Sequence, residues 1–236
     1  MFKKELFSVE EEDIDNYKIQ INMFLRGNLS KDFLPRLSKT PKFFKYINLT
    51  EGYFFIPKHL LDIKQKLAPS HNISFDLIEN KLQEMLADPL MILHSSSEKT
   101  KDKDCYVIVT NEFEIVETDI GKEKRPIIVA VKEYKDGYNI RSIYRKDDLK
   151  RFFNRNVKNL IYIDKEKALK DYPHDLSEHR AGILKGSDFF SKNMITTKED
   201  IVKRYLQEKN MTLQESLSSY TNNNPSQKKL QGTKPF

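Results

Sequence analysis

Between positions 90 and 144 the chain alternates apolar runs with connections too short to hold a helix. The runs are 90–93, 106–113, 126–134 and 138–144. A parallel crossover needs about a dozen residues or more, usually including a helix, so strands joined this closely must be antiparallel. Asp136-Gly137 separates the last two runs. It is a strong hairpin signal, because glycine supplies the positive φ that such turns require. The connections at 95–104 and 117–125 are charged and read as loops, with Gly121 permitting a turn. Residues 160–163 supply a fifth strand.

Helical patterns flank this meander. Ile14, Tyr17, Ile21, Phe24 and Leu25 recur at helical spacing over 10–26, and Gly27-Asn28 ends the run. Residues 29–45 contain two prolines and predict short, broken structure; 52–56 predict a short strand, and Pro57 opens a helix through 67. Ser74 predicts an N-cap for a helix to 87 with an apolar stripe of Phe75, Ile78, Leu82, Met85 and Leu86. Asp88-Pro89 stops it, since the residue before proline avoids the helical region. Beyond the meander, Asp147 or Asp148 caps a helix to 154, 165–171 form a short helix, and 177–193 read as irregular. Thr196 or Thr197 caps a helix to 209 carrying Ile201, Tyr205 and Leu206. The fold class is α+β: helices preceding a four- to five-stranded antiparallel meander sheet. The organisation is a helical N-terminal region (1–36), an α+β domain (37–171), a small helical extension (172–213) and a disordered tail (214–236) rich in Ser, Asn and Gln.

Composition excludes several classes of protein. No apolar run approaches the ~18 residues of a membrane span. The start of the chain turns acidic, unlike a secretory signal. One cysteine, Cys105, rules out an internal disulfide and a cysteine-built zinc site. A cytoplasmic, reducing setting is expected. The formal charge of +6 is unevenly spread. Residues 139–158 hold seven basic and two acidic side chains, net +5, whereas the first fifteen hold six acids and two lysines, net −4. Such asymmetry points to an anionic partner near the middle of the chain.

An ordered set of segments adds to this reading. Thr40-Pro41 precedes the 52–56 strand and Pro57-Lys-His-Leu-Leu61; His71-Asn-Ile-Ser74 leads into a helix ending Leu86-Ala-Asp-Pro89. Leu90-Met-Ile-Leu-His-Ser95, the 105–110 strand, Arg125-Pro126-Ile-Ile-Val-Ala-Val131, Asn139-Ile-Arg-Ser-Ile-Tyr144 and Leu160-Ile-Tyr-Ile-Asp-Lys165 follow. In order and spacing this stretch, about 37–167, resembles the phage MuF C-terminal domain found in phage head-associated and polyvalent mobile-element proteins. The resemblance implies the fold of barnase-, EndoU-, colicin- and RelE-like nucleases, and a ribonuclease acting as toxin or effector. Fold alone does not fix function.

Metal-free RNA cleavage needs a base for the ribose 2′-OH, an acid for the 5′-oxygen, and donors or cations for the phosphate. His71, in the polar turn before the 74–87 helix, is the candidate acid or base; it matches the family's histidine. Strand alternation puts Ile140, Ser142 and Tyr144 on one face and Arg141, Ile143 and Arg145 on the other. Ser142 and Tyr144 are candidate phosphate or base contacts. Ser95, at a strand end where the family often carries serine, joins Arg141, Arg145, Lys150, Arg151 and Arg155 as candidate nucleic-acid contacts. Each has a plainer alternative: a loop histidine, core packing, capping, or a solvated helix face. His94 alternates to the side opposite Ser95, and His59 reads as surface. His174 and His179 lack a metal-binding motif, and no glycine-rich phosphate loop exists. No metal or cofactor is expected.

The expected activity is metal-independent RNA cleavage by 2′-OH transesterification. RNA is the expected partner, with an antitoxin or immunity protein, or phage head proteins, besides. The alternative is a catalytically silent phage or mobile-element accessory protein that uses the same fold to bind nucleic acid or a protein. A third possibility is a host-encoded effector in which the acidic N-terminal helix binds a partner or covers the basic groove.

Overall fold

The computed structural model describes residues 5–30, 32–61, 73–95, 104–118, 121–147, 149–171 and 195–222. Its strands are β1 (Arg36–Lys39), β2 (Tyr53–Phe55), β3 (Met91–His94), β4 (Cys105–Thr118), β5 (Gly121–Tyr134), β6 (Gly137–Arg145), β7 (Leu160–Ile163) and β8 (Thr196–Thr197). They form one eight-stranded sheet in the order β1-β2-β6-β5-β4-β3-β7-β8. The antiparallel β3–β4–β5–β6 meander and β7 lie at its centre, as expected. The expectation of a four- to five-stranded, wholly antiparallel sheet is corrected at the edges. There β2 pairs with β6 and β8 with β7 in parallel, and β1 adds to β2. β2 falls within the strand expected at 52–56, whereas β1 and β8, of four and two residues, carry no periodic signal and follow from tertiary pairing. Gly137 sits in the hairpin turn at φ +135° and lies directly against the Tyr53 backbone, where no side chain fits.

The helices are α1 (Glu11–Leu25), α2 (Lys58–Leu61), α3 (Phe75–Asn80), α4 (Leu82–Ala87), α5 (Leu149–Asn156), α6 (Lys165–Asp171) and α7 (Lys198–Asn222), with a 3₁₀ turn at Lys42–Ile47. Ser74 caps α3, its hydroxyl accepting from the Leu77 amide at 3.3 Å. The single helix expected over 74–87 is split at Lys81. Thr197 caps α7 reciprocally: its amide donates to the Asp200 carboxylate at 3.1 Å, and the Asp200 amide donates to its hydroxyl at 3.2 Å. That helix runs through Asn222, beyond the expected start of a tail at 214. Leu213, Leu217 and Tyr220 keep a helical spacing that the Ser and Asn content obscured. Residues 223–236 and 177–193 lie outside the described residues.

The sheet is buried on both faces. Tyr106, Ile108, Ile127, Val129, Val131, Tyr138, Ile140 and Ile143 face one core, shared with Tyr17 and Ile21 of α1, Leu77 and Leu86, and Ile201 and Tyr205 of α7. Leu93, Val107, Val109, Ile128 and Leu160 face a second core with Phe153 of α5 and Ala168 of α6. Double burial explains the unbroken Ile127-Ile-Val-Ala-Val131 run. Since β6 and β7 flank the antiparallel set and point the same way, α5 carries the chain over the second face past three strands.

Two local features alter side-chain placement. Ser142 pairs with Ala130 but Ile140 with Val131, so Arg141 is the extra residue of a β-bulge. The bulge breaks the expected alternation: Ile140 and Ile143 share the first core, and Tyr144 packs against the second. The expected loop at 117–125 is instead mostly ribbon, with β4 and β5 paired from Phe113–Pro126 out to Thr118–Gly121. Opposite charges meet across it at Glu114–Arg125 and Glu117–Lys122, which favours pairing.

An ion network built on the buried Lys198 and Asp164 ties α7 to the sheet. The Lys198 ammonium contacts Asp88 at 2.5 Å and Asp164 at 2.9 Å, and Lys167 contacts Asp88 at 2.5 Å. Burial lowers the Lys198 pKa, but the two carboxylates outweigh it and the net shift is upward.

Candidate nucleic-acid interface

Where β3 and β6 end and α5 begins, the second face of the sheet opens into a cavity of about 570 Å³. Leu93, Val107, Tyr144 and Phe152 give it apolar walls. Arg145, Lys146, Arg151 and Arg155 line it, against one acid, Asp147, for a formal charge of +3. His94, Ser95 and Asn156 complete the lining. The sequence builds this locally. Leu149–Asn156 is strongly amphipathic, so Phe153 enters the core while Arg151 and Arg155 remain exposed.

The cations are held by their neighbours. The Arg145 guanidinium donates to the Glu114 carboxylate at 2.7 Å. Asp147 pairs with Arg125 at 3.0 Å, which offsets the one acid at the cavity. The Lys146 ammonium lies 5.4 Å from the Phe152 ring centroid, a cation–π contact. The Asn156 side chain donates to the Phe152 carbonyl at 2.7 Å, fixing the last turn of α5. Burial pushes the Tyr144 hydroxyl pKa up, so at neutral pH it is an uncharged donor beside the cations.

Of the residues singled out by sequence, Ser95, Tyr144, Arg145, Arg151 and Arg155 come together here. Ser142 does not line the cavity; it sits opposite Ala130, in a cross-strand row with Val107 and Leu93. Arg141 is exposed at the bulge and is not part of the lining. Lys150 falls in the first turn of α5. His71, with His174 and His179, lies outside the described residues. His59 is exposed, as expected.

His94, Lys146, Phe152 and Asn156 are additions. The His94 ring lies tilted at 5.2 Å from that of Tyr106, a first-core residue and its cross-strand partner, on the side expected from alternation. It nevertheless lines the cavity because β3 ends there and leaves it exposed. Behind it the Tyr106 hydroxyl donates to Glu133 at 2.9 Å, and Glu133 also contacts Thr50. The idea of an N-terminal cover is corrected: α1 packs on the opposite face, its Tyr17 hydroxyl donating to the Ile78 carbonyl at 3.1 Å. Among the described residues no cluster of three His, Cys, Asp or Glu side chains is placed to hold a metal ion, and no helix is long and apolar enough to cross a membrane.

Every residue lining the cavity falls between Leu93 and Asn156. That interval lies inside one family match. Residues 62–170 match the phage MuF C-terminal domain. The resemblance drawn from sequence is thereby shown, over a shorter span than 37–167. The MuF match takes in β3 to β7, α3 to α5 and all but the last residue of α6, and leaves β1, β2, β8, α1, α2 and α7 outside it. No curated protein and no solved structure matches the chain.

Proposed function

We propose that this MuF-type protein is a metal-independent endoribonuclease whose cavity holds the phosphodiester backbone of RNA. The observation that carries the reading is the convergence of four cations, the Ser95 and Tyr144 side chains and an imidazole on one partly apolar cavity. Arginine and lysine neutralise phosphate, and hydroxyl donors stabilise charge that develops on its oxygens. In the reaction a base takes the proton of the ribose 2′-OH, the 2′-oxygen bonds to phosphorus, and the bond to the 5′-oxygen breaks. An acid protonates that oxygen, leaving a 2′,3′-cyclic phosphate and a 5′-hydroxyl end. His71 and His94 are the imidazoles assigned to the two proton transfers. Ser95, Tyr144 and the arginines hold the phosphate. An antitoxin, an immunity protein or phage head proteins are the partners this role implies, in a cytoplasmic setting.

The test is cleavage of total cellular RNA in EDTA by the wild type and by Arg151→Ala/Arg155→Ala. Cyclic-phosphate ends produced by the wild type and lost in the double variant support the reading. RNA binding without cleavage in both moves it to the second reading, a catalytically silent accessory protein that binds nucleic acid on the same surface. One observation favours that second reading: His94 is the sole imidazole at the cavity among the described residues.

A further inference from the structure

The cavity differs from a plain phosphate-binding surface in what lies beneath its charges. A groove that follows a duplex backbone needs cations spread along an open face. Here the cations surround a recess with apolar walls. Leu93 and Val107, both nearly inaccessible, come from the sheet, while Tyr144 and Phe152 present two aromatic rings from β6 and α5. Arg151 and Arg155 stand one helical turn apart on α5 and are both exposed. The volume of about 570 Å³ lies within the range of small-molecule sites, roughly 300–1,000 Å³.

Resting on the reading of this cavity as an RNA site, we infer that it takes one unpaired nucleobase, with the flanking phosphates on Arg151 and Arg155, so that the substrate is single-stranded RNA. Bases within an A-form duplex are stacked and paired, and their flat faces are not free. An unpaired base offers a π face to Tyr144 and Phe152 and an edge to the polar groups of Ser95 and Asn156. Charge complementarity selects the polyanion; the aromatic walls select its unpaired bases. Stacking depends little on base identity, so the site tolerates sequence and discriminates strandedness.

The experiment measures fluorescence anisotropy of the full chain with three labelled 12-mers at one salt concentration, each 2′-O-methylated so that it cannot be cleaved: a single-stranded RNA, the same RNA annealed to its complement, and a ribose-phosphate oligomer lacking bases. The single strand should bind at least about ten-fold tighter than either of the others, in line with the affinity attributed to one stacked base. Phe152→Leu keeps an apolar side chain of similar size and should cost the single strand about ten-fold while leaving the duplex and the abasic oligomer unchanged. A circular dichroism spectrum confirms that the variant is folded. Equal affinity for all three oligomers, still lowered by Arg155→Ala, overturns the base-binding inference and leaves the RNA reading standing. Binding that ignores Arg155→Ala and Arg151→Ala overturns the RNA reading itself.

Discussion

Arg145 at the end of β6 and Glu114 on β4 form a hydrogen-bonded ion pair at 2.7 Å, each side chain less than a third exposed. The pair joins the wall of the cavity to the ribbon formed by the outer halves of β4 and β5. A charge-assisted bond of this kind contributes about 1.5–3 kcal/mol. Glu114 also removes one positive charge from the field at the cavity. Glu114→Gln is therefore expected to have opposite effects on two measurements. Urea denaturation should show a loss of about 1 kcal/mol, and anisotropy should show tighter RNA binding with a salt slope steeper by about one counterion.

Arg155→Ala should weaken RNA binding evenly across sequences and lower the salt slope by about one, as removal of a single phosphate contact does. Arg151→Ala should behave alike. The check is a set of binding isotherms between 50 and 200 mM salt, roughly the span over which such contacts are lost. A slope that does not change would place the arginine outside the interface.

Single replacement of either imidazole tests the chemistry apart from the binding. A positioned acid or base typically contributes about 10²–10⁴-fold. His94→Ala and His71→Ala should each lower the cleavage rate by at least about a hundred-fold with RNA affinity retained. Each should also remove one limb of the pH–rate profile. An unchanged rate excludes that histidine from proton transfer.

Lys198→Met should destabilise the fold by about 3–5 kcal/mol at neutral pH, because it leaves the Asp164 carboxylate, 2% exposed, without its ammonium partner. The folded-state pKa of Lys198 is raised, so its stabilisation is fully present below the unfolded value of about 10.4. It is lost as pH rises through the higher folded value. The stability gap between wild type and variant, measured by chemical denaturation, should hold from pH 7 to about 10 and shrink above it.

Gly137→Ala meets two obstacles, the positive φ of +135° and the Tyr53 peptide lying where its methyl would go. The β2–β6 pairing cannot close around it. A loss of about 3 kcal/mol or more is expected in denaturation experiments, beyond the ~1 kcal/mol usual for a point change.

The centre of the sheet was legible because its cause is local. Apolar runs, short connections and Asp136-Gly137 dictate an antiparallel meander whatever surrounds it. The edge strands were not, since Arg36–Lys39 and Thr196–Thr197 are too short for a pattern and are strands only because β2 and β7 present free edges. The basic helix was visible as charge, and its arginines do reach a cavity with Tyr144 and Ser95. Ser142 and Tyr144 read as partners, yet only Tyr144 lines that cavity. Phe152 lines the cavity only because of where α5 crosses the sheet, which no local pattern records. The one-residue bulge at Arg141 leaves no mark in the alternation, because Ile140 and Ile143 are both apolar and either register looks plausible.

The matched segment, 62–170, ends inside the sheet rather than around it. Within the full chain the outer sides of β6 and β7 are sealed by β2 and β8, short segments that come from before and after the match. Cut at the family borders, the same segment would carry two bare strand edges and a first face stripped of α1 and α7. A protein in that state is adhesive, because open amide ladders template pairing with other copies. The flanking segments are therefore what covers the two edges that the matched stretch would leave open.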